Sequence, residues 1–156
     1  MQTTINKTKV LTSLARMMGK RMLPQGVTDD WVEYIQTAFN YSWRYYKWGW
    51  SMRMASLDMT NPNLILLPGD FDIDGYIEAV PNSNGDVTYM NHSDFMTVGK
   101  YGNAFTVIYD PIQEKYRAIA GSGVSSLDII YQVAPPELSD LDVPFPSSLT
   151  IAIGLS

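Results

Sequence analysis

The sequence predicts an α+β protein in which two N-terminal helices are followed by a set of short antiparallel strands. Apolar residues recur at helical spacing within residues 7–49, whereas short apolar or alternating runs between turn residues fill residues 50–134. Ser147 is a good helix cap, which predicts a short C-terminal helix within 147–155. We therefore expect one domain over 1–156, with a helical part, a β-rich part and a C-terminal helical stub.

Two helices are predicted in the N-terminal third of the chain. Residues 7–18 carry apolar side chains at helical spacing, and Gly19 is expected to end this helix. Thr28 is a suitable cap for a second helix, because the two aspartates after it would lie beside the positive end of the helix dipole. This second helix is expected to end near Gly49.

The second helix is rich in aromatic residues: nine lie within residues 31–50, including all four tryptophans. Its apolar side chains cover roughly 220° of the helix surface, about twice the ~100° stripe that suffices to face one core. The middle of this arc comprises Trp31, Ile35, Ala38, Phe39, Ser42, Tyr45 and Tyr46. Such a helix is expected to pack inward and also to meet a neighbouring subunit; a single large aromatic core is the alternative. The residues assigned to the interface are Tyr34, Tyr41, Trp43, Trp48, Trp50, Arg44 and Lys47.

Charge is distributed unevenly along the chain. Residues 1–55 carry eight basic and three acidic side chains, whereas residues 56–156 carry three basic and thirteen acidic ones. The first 21 residues contain no acidic side chain and five basic ones: Lys7, Lys9, Arg16, Lys20 and Arg21. This basic segment is a candidate for contact with an acidic surface or nucleic acid, and a solvated helix face is the alternative. The rest of the chain is too acidic to hold a DNA duplex by neutralising its phosphates.

The composition excludes several classes of protein. There are no cysteines, which excludes disulfides, thiolate metal sites and cysteine nucleophiles. No apolar run approaches the ~20 residues of a membrane span. The N-terminus has no apolar segment of the signal-peptide type, so we expect a protein made in the cytoplasm that does not enter a membrane.

The β-rich part is expected to contain five to seven short strands. They are predicted at 50–57, 64–67, 76–80, 87–90, 104–109, 116–120 and 127–133. Residues 82–85 are predicted to form the turn of a first hairpin, and Asp110 with Pro111 the turn of a second. Residues 91–103 are expected to form a polar loop, and residues 135–146 an irregular segment.

Residue patterns typical of catalysis are weak in this sequence. The single histidine, His92, lies near Asp94 in a polar stretch, and an exposed loop histidine explains it. The glycine-containing segment 121–126 lacks the lysine of a phosphate-binding loop. We therefore expect that the protein is not an enzyme and needs no cofactor.

One acidic segment has the pattern of half a calcium-binding loop. Three alternating aspartates precede Gly75: Asp70, Asp72 and Asp74. The twelfth loop position requires a bidentate acid and is Pro81 here, so we expect no bound metal. A strand with Phe71 and Ile73 inward and the aspartates outward explains the same residues. The alternative function that this segment supports is a monomeric calcium- or carbohydrate-binding β module.

Several motifs occur in a characteristic order. The aromatic helix ends in a tryptophan-rich stretch at 43–50, and Leu-Leu-Pro at 66–68 precedes Asp70 and Phe71. A strand at 76–80 and a tyrosine-centred hairpin at Tyr109 and Tyr116 follow. Last comes LDIIYQVAPPELSDLDVPFP at 127–146, in which a strand ends in tyrosine and prolines before Leu-Ser and aspartates. Over residues 28–150 this order resembles the head-to-tail adaptor proteins of tailed bacteriophages.

The resemblance implies a structural protein of the virion neck. Such adaptors form a ring, commonly of twelve copies, beneath the portal protein. The ring continues the channel through which genomic DNA passes without specific binding, and it docks tail or nozzle proteins. The resemblance also implies assembly in the host cytoplasm. It makes the five basic residues of the N-terminal segment candidates for portal contact: Lys7, Lys9, Arg16, Lys20 and Arg21.

Overall fold

The computed structural model describes residues 2–19, 25–60, 65–83, 85–139 and 142–146. The chain divides into two compact units: unit 1 comprises Met1–Trp50 and Pro135–Ser156, and unit 2 comprises Ser51–Ala134. Helices and sheets are both present, which confirms the α+β class. The C-terminal helix expected within 147–155 lies outside the described residues.

The described residues of unit 1 form two helices and a two-stranded sheet. Strand β1 (Gln2–Ile5) pairs antiparallel with β8 (Val143–Pro146), and α1 (Lys7–Met17) and α2 (Gln25–Tyr45) lie between them in sequence. Sequence analysis missed both strands, because residues 143–146 include two prolines. Proline is tolerated here since each strand of a two-stranded sheet is an edge strand.

Helix α1 confirms the helix predicted at 7–18. The Asn6 side chain caps it by accepting a hydrogen bond from the Lys9 backbone N–H at 2.9 Å. The same side chain donates to the Asp142 carboxylate at 2.6 Å, which ties the cap to the segment before β8. The chain leaves the helix at Gly19, whose φ of 69° favours glycine.

Helix α2 differs from the prediction at both ends. It begins at Gln25, so Thr28 and the aspartates after it lie inside the helix rather than at its cap. A cap is a local preference of about 1 kcal/mol, which additional helical turns outweigh. The helix ends at Tyr45, not near Gly49, because the Trp48 indole N–H donates to the Ser42 carbonyl at 3.2 Å. That bond satisfies one of the carbonyls left without a partner in the last turn.

One side of α2 forms the core of unit 1. Ile35, Phe39, Ser42 and Trp43 are buried, as are Ile5 of β1, Val10 and Ala15 of α1, and Leu138. The Gln36 side chain joins the helix to the segment before β8. Its amide N–H donates to the Pro136 carbonyl at 3.1 Å, and its carbonyl accepts from the Leu138 N–H at 2.7 Å. Sequence analysis did not single out Gln36 and missed this role.

In the part of unit 2 that the structure describes, there are six strands and one short α-helix. They are β2 (Met52–Asp58), β3 (Ile77–Val80), β4 (Thr88–Tyr89), α3 (His92–Thr97), β5 (Ala104–Asp110), β6 (Lys115–Ala120) and β7 (Ser126–Gln132). One sheet has the order β2-β7-β3 with antiparallel pairs, and the other has the order β4-β5-β6. Since β4 pairs with β5 in parallel, the sheets are not all antiparallel as predicted. The hydrophobic core of the unit includes Phe105, Ala118, Leu127 and Ile129, each fully buried.

Three local predictions in unit 2 are wrong. Residues 65–67 form no strand, although Leu66 bridges to Arg117; residue 64 lies outside the described part. The turn at 82–85 exists but closes no hairpin, because β3 pairs with β7 whereas β4 pairs with β5. The Asn82 side chain donates to Ser126 and Asp128 on β7. The loop predicted at 91–103 contains α3, which Asn91 caps by accepting from the Asp94 N–H at 2.8 Å.

The β5–β6 hairpin and strand β7 confirm the predictions for these segments. Tyr131 of β7 is buried, and its hydroxyl donates to the Asp70 carboxylate at 2.8 Å. Burial and this hydrogen bond to an anion raise the pKa of Tyr131 to about 12.

Gln36→Ala is expected to destabilise unit 1 by about 1–3 kcal/mol, because it removes three side-chain hydrogen bonds, to Asn40, Pro136 and Leu138, and leaves the Leu138 N–H without its partner. All four tryptophans lie in unit 1, so urea unfolding followed by tryptophan fluorescence reports on this unit. Thr37→Ala is the matched control, since its exposed hydroxyl bonds only within the helix, to the Glu33 carbonyl. Equal effects of the two substitutions would contradict the role of Gln36.

The raised pKa of Tyr131 predicts an alkaline loss of stability. The neutral phenol is favoured in the folded state, so its stabilisation is complete below the unfolded pKa near 10 and is lost as the pH rises towards about 12. The stability advantage of the protein over Tyr131→Phe is therefore expected to fall by about 1 kcal/mol between pH 9 and pH 11. Urea unfolding at the two pH values measures this difference. A constant difference would contradict the assignment.

Candidate oligomer interface

A stripe of tyrosines lies on the surface of α2, away from the side that forms the core of unit 1. Tyr34, Tyr41 and Tyr45 are 68%, 71% and 68% exposed. Their spacing of seven and four residues places them within about 40° of one another around the helix. The rings of Tyr41 and Tyr45 contact each other, with centroids 6.3 Å apart. We call these three residues the tyrosine stripe.

The exposed area of the tyrosine stripe is large enough to contribute substantially to an interface between protein chains. A tyrosine buries 150–250 Å² when fully covered, so the three exposed rings offer roughly 300–500 Å². That is about half of the ~800 Å² that each partner contributes to a standard interface. Tyrosine suits such a surface, because its ring gains from burial while its hydroxyl tolerates water before assembly.

The tryptophans assigned to the interface lie elsewhere. Trp43 is buried in unit 1 and packs against Phe39, with ring centroids 5.7 Å apart. Trp48 and Trp50 are half-buried and stack on each other with an interplanar angle of 7°. Trp43 therefore belongs to the core, and the surface contribution of this helix comes from its tyrosines.

Exposed residues also occur among those placed in the middle of the predicted apolar arc. Tyr45, the last residue of α2, and Tyr46, directly after it, are exposed, whereas Ile35 and Phe39 of the same arc are buried. Only part of the ~220° arc can face the interior of a small unit. The remaining part forms the aromatic surface.

The basic side chains of unit 1 are mostly accessible. Lys47, Lys9 and Arg16 are exposed, whereas Arg44 and Lys7 are half-buried. The Lys9 ammonium lies 3.6 Å from the Asp142 carboxylate and forms an ion pair with it within unit 1. Lys20 and Arg21 lie outside the described residues.

The aspartate segment of unit 2 does not have the alternation that sequence analysis predicted. Phe71 and Asp72 are both buried, whereas Ile73 is exposed. The reason is local hydrogen bonding: the Asp72 N–H donates to the Gln132 carbonyl at 3.2 Å, and its carboxylate accepts from the Asp74 N–H at 3.2 Å. Asp72 therefore holds the loop against the end of β7, and these hydrogen bonds account for the burial of its carboxylate.

Other candidate chemistry in the described residues is limited. Within the ranges that the structure describes, no three histidine or acidic side chains are grouped so that they could hold a metal ion. His92 is exposed, in the first turn of α3 rather than in a loop. No helix among the described residues is long and apolar enough to cross a membrane.

The tip of the β5–β6 hairpin presents one apolar side chain on a fixed turn. Ile112 is 92% exposed, and sequence analysis did not single it out. Burial opposes ionisation of Asp110, but hydrogen bonds from the Gln113 and Ile112 N–H groups and from Arg117 hold its pKa below the usual value. The Arg117 guanidinium lies 2.7 Å from this carboxylate. The turn is therefore held by the side chain that precedes it.

A cleft of about 340 Å³ lies beside β3. It is lined by residues 76–79, 81 and 86–89, so β3 and β4 form opposite walls. Glu78 and Asp86 give these walls a negative charge, and apolar side chains such as Ile77 and Val87 form the rest. By its volume it has room for roughly ten water molecules.

Comparison with known proteins assigns no family. The sequence matches no protein-family model, and no curated protein matches it significantly. We therefore derive the function from the surfaces described above and from the order of the sequence motifs.

Calcium is expected to leave the thermal stability of the protein unchanged. Asp72 is only 4% exposed and Asp70 accepts from Tyr131, so neither is arranged as an open ligand. Thermal unfolding is measured with excess calcium and with chelator, because an ion bound only by the native state must raise the midpoint. A rise of several degrees that Asp72→Ala abolishes would overturn this reading and support the calcium-binding alternative.

Proposed function

We propose that the protein is a head-to-tail adaptor of a tailed bacteriophage, which forms a ring beneath the portal protein and docks tail or nozzle proteins. The tyrosine stripe of α2 carries this proposal. Side-by-side copies in a ring bury two different surfaces of each copy through repeated heterologous contacts. A stripe of three tyrosines on one helix supplies one of these surfaces.

The charge distribution supports the same arrangement. The segment 1–55 is net basic and the segment 56–156 is net acidic, so one copy offers complementary charge to a neighbour or to an acidic portal surface. Of the candidate portal contacts, Lys9 and Arg16 are accessible on α1. Charges of this kind mainly affect the rate of encounter and its dependence on salt.

The acidic segment also suits a channel for DNA. Phosphate groups are repelled by acidic side chains, so DNA slides past such a wall rather than binding it. The twelve-fold ring and the location in the virion neck follow from the resemblance of the motifs at 28–150. They are part of the proposal.

Mixing the protein with the portal protein encoded in the same genome tests the proposal. Electron microscopy is expected to show added density with cyclic symmetry on one face of the portal. An adaptor that is monomeric alone is compatible with this, since assembly can require the portal. Absence of cyclic density on the portal would show that the protein is not an adaptor.

Tyr41→Asp is expected to reduce assembly on the portal at least 10-fold, because each interface would bury an unpaired carboxylate among tyrosine rings. Its fold should be unchanged, since Tyr41 contacts water over 71% of its surface. Tyr101→Asp is the matched control: Tyr101 is 74% exposed and lies in unit 2. The occupancy of the portal by each variant is counted from the same images. Equal occupancy for the two variants would show that the stripe is not the interface.

A further inference from the structure

The cleft beside β3 lies in a strongly acidic part of the chain. Between Arg53 and Lys100 there are seven acidic side chains and no lysine or arginine. Two of the acidic residues, Glu78 and Asp86, line the cleft and are exposed. Among the described residues, neither carboxylate takes part in a hydrogen bond or an ion pair. Their negative charge is therefore available to a partner that enters the cleft.

The other residues that line the cleft are mostly apolar or aromatic. Ile77 and Val87 are among them, as are Tyr76 and Tyr89. An arginine side chain matches such a lining, because its apolar stem packs on apolar surface while its guanidinium stacks on aromatic rings and pairs with carboxylates. An acidic partner is disfavoured, since like charges placed opposite each other repel. The chemistry of the cleft thus points to a basic side chain as its occupant.

The C-terminal end of α1 has the complementary character. It belongs to the segment 1–28, which carries five basic side chains and no acidic one. Arg16 is exposed and, among the described residues, forms no ion pair. Met17 and Met18 beside it are 67% and 47% exposed. A cation in the last turn of a helix interacts favourably with the helix dipole, which accounts for Arg16 but not for two exposed methionines. We call Arg16, Met17 and Met18 the α1 end.

We infer that the α1 end of one copy docks in the cleft of the next copy, with the Arg16 guanidinium beside the carboxylates of Glu78 and Asp86. This inference rests on the proposed ring, and it names a neighbouring copy rather than the portal protein as the partner of Arg16. The reason is charge complementarity within one chain. The cleft belongs to a segment without lysine or arginine, and the α1 end belongs to a segment without acidic residues.

The contact also has the form that a ring requires. The α1 end belongs to unit 1 and the cleft to unit 2, so every copy carries one surface of each kind. Joining two unlike surfaces is a heterologous contact, which repeats at each interface when the ring closes. The cleft of about 340 Å³ has space for an arginine side chain. Methionine side chains adapt to irregular surfaces such as the rim of this cleft, and their burial favours association.

Because the chain has no cysteine, two introduced thiols can test the contact on the full chain assembled on the portal. Met17→Cys and Thr88→Cys place one thiol on the α1 end and one at the cleft, both at exposed positions. Mild oxidation is expected to join successive copies into a ladder of disulfide-linked oligomers on a non-reducing gel. Met17→Cys with Ile112→Cys is the matched control. Ile112 is exposed at the other end of β5 from β4, so this pair should give no ladder.

The outcomes of the cross-linking experiment are distinct. A ladder from the first pair and none from the control supports the inference. A complete ring without a ladder overturns the docking and leaves the adaptor function standing. A disulfide within one copy, seen as a monomer of altered mobility, shows that the α1 end meets the cleft of its own chain and also overturns the inference. Absence of a ring with the unmodified chain overturns both the inference and the adaptor function.

Reversal of the charges gives a second test. Arg16→Glu brings a third carboxylate to the cleft, so the occupancy of the portal is expected to fall about 10-fold. Adding Glu78→Lys in the same chain should recover most of this loss, because unlike charges again face each other across the contact. Glu114→Lys is the matched control, since Glu114 is an exposed glutamate of unit 2 that does not line this cleft. It should not restore the occupancy.

Three results of the charge reversal contradict the inference. Full occupancy by Arg16→Glu shows that the α1 end makes no contact that matters for assembly. A loss that Glu78→Lys does not recover shows that Arg16 faces another partner, such as the portal. Equal recovery with Glu78→Lys and Glu114→Lys shows an effect of net charge alone. Tryptophan fluorescence checks the fold of each variant, and if one does not fold, the cross-linking experiment decides.

Discussion

Strand β7 bonds a neighbour on each side, and the arrangement of unit 2 depends on this. Its residues alternate between the two partners, so Leu127, Ile129 and Tyr131 pair with β2 while Asp128 and Ile130 bond β3. The side chains of the first three are buried in the core. The loop that carries Asp72 and the turn at Asn82 are both fixed to β7 by hydrogen bonds. Strand β7 therefore holds the other two strands of its sheet, the loop at Asp72 and the turn at Asn82 in one arrangement.

In unit 1, one side of α2 is buried in the core of the unit, whereas another side remains exposed. Ile35, Phe39 and Trp43 fill the core, and Gln36 ties the same helix to the segment before β8. A helix with a roughly 220° apolar arc has more aromatic surface than one small core can cover. The aromatic surface that the core does not cover is the tyrosine stripe. The proposed ring would cover this aromatic surface.

The elements that could be predicted are those determined by residues close together in the sequence. Helix α1 follows from apolar spacing and Gly19, and the β5–β6 hairpin follows from two apolar strands around Asp110 and Pro111. The pairing of β1 with β8 joins residues more than 130 positions apart, and no local pattern contains it. The exposure of the residues assigned to an interface was predicted in part. Tyr34 and Tyr41 are exposed, but helical spacing alone could not decide that Trp43 faces the core while Tyr45 faces outward. The burial of Asp72 depends on Gln132, which is distant in sequence.

The central claim is that neighbouring copies cover the tyrosine stripe. The most direct measurement is a density map of the assembled neck, at a resolution that shows side chains. The account predicts that the rings of Tyr34, Tyr41 and Tyr45 lie within about 4.5 Å of apolar atoms of the next copy, at every interface around the ring. A complete ring in which all three tyrosines face water would contradict it.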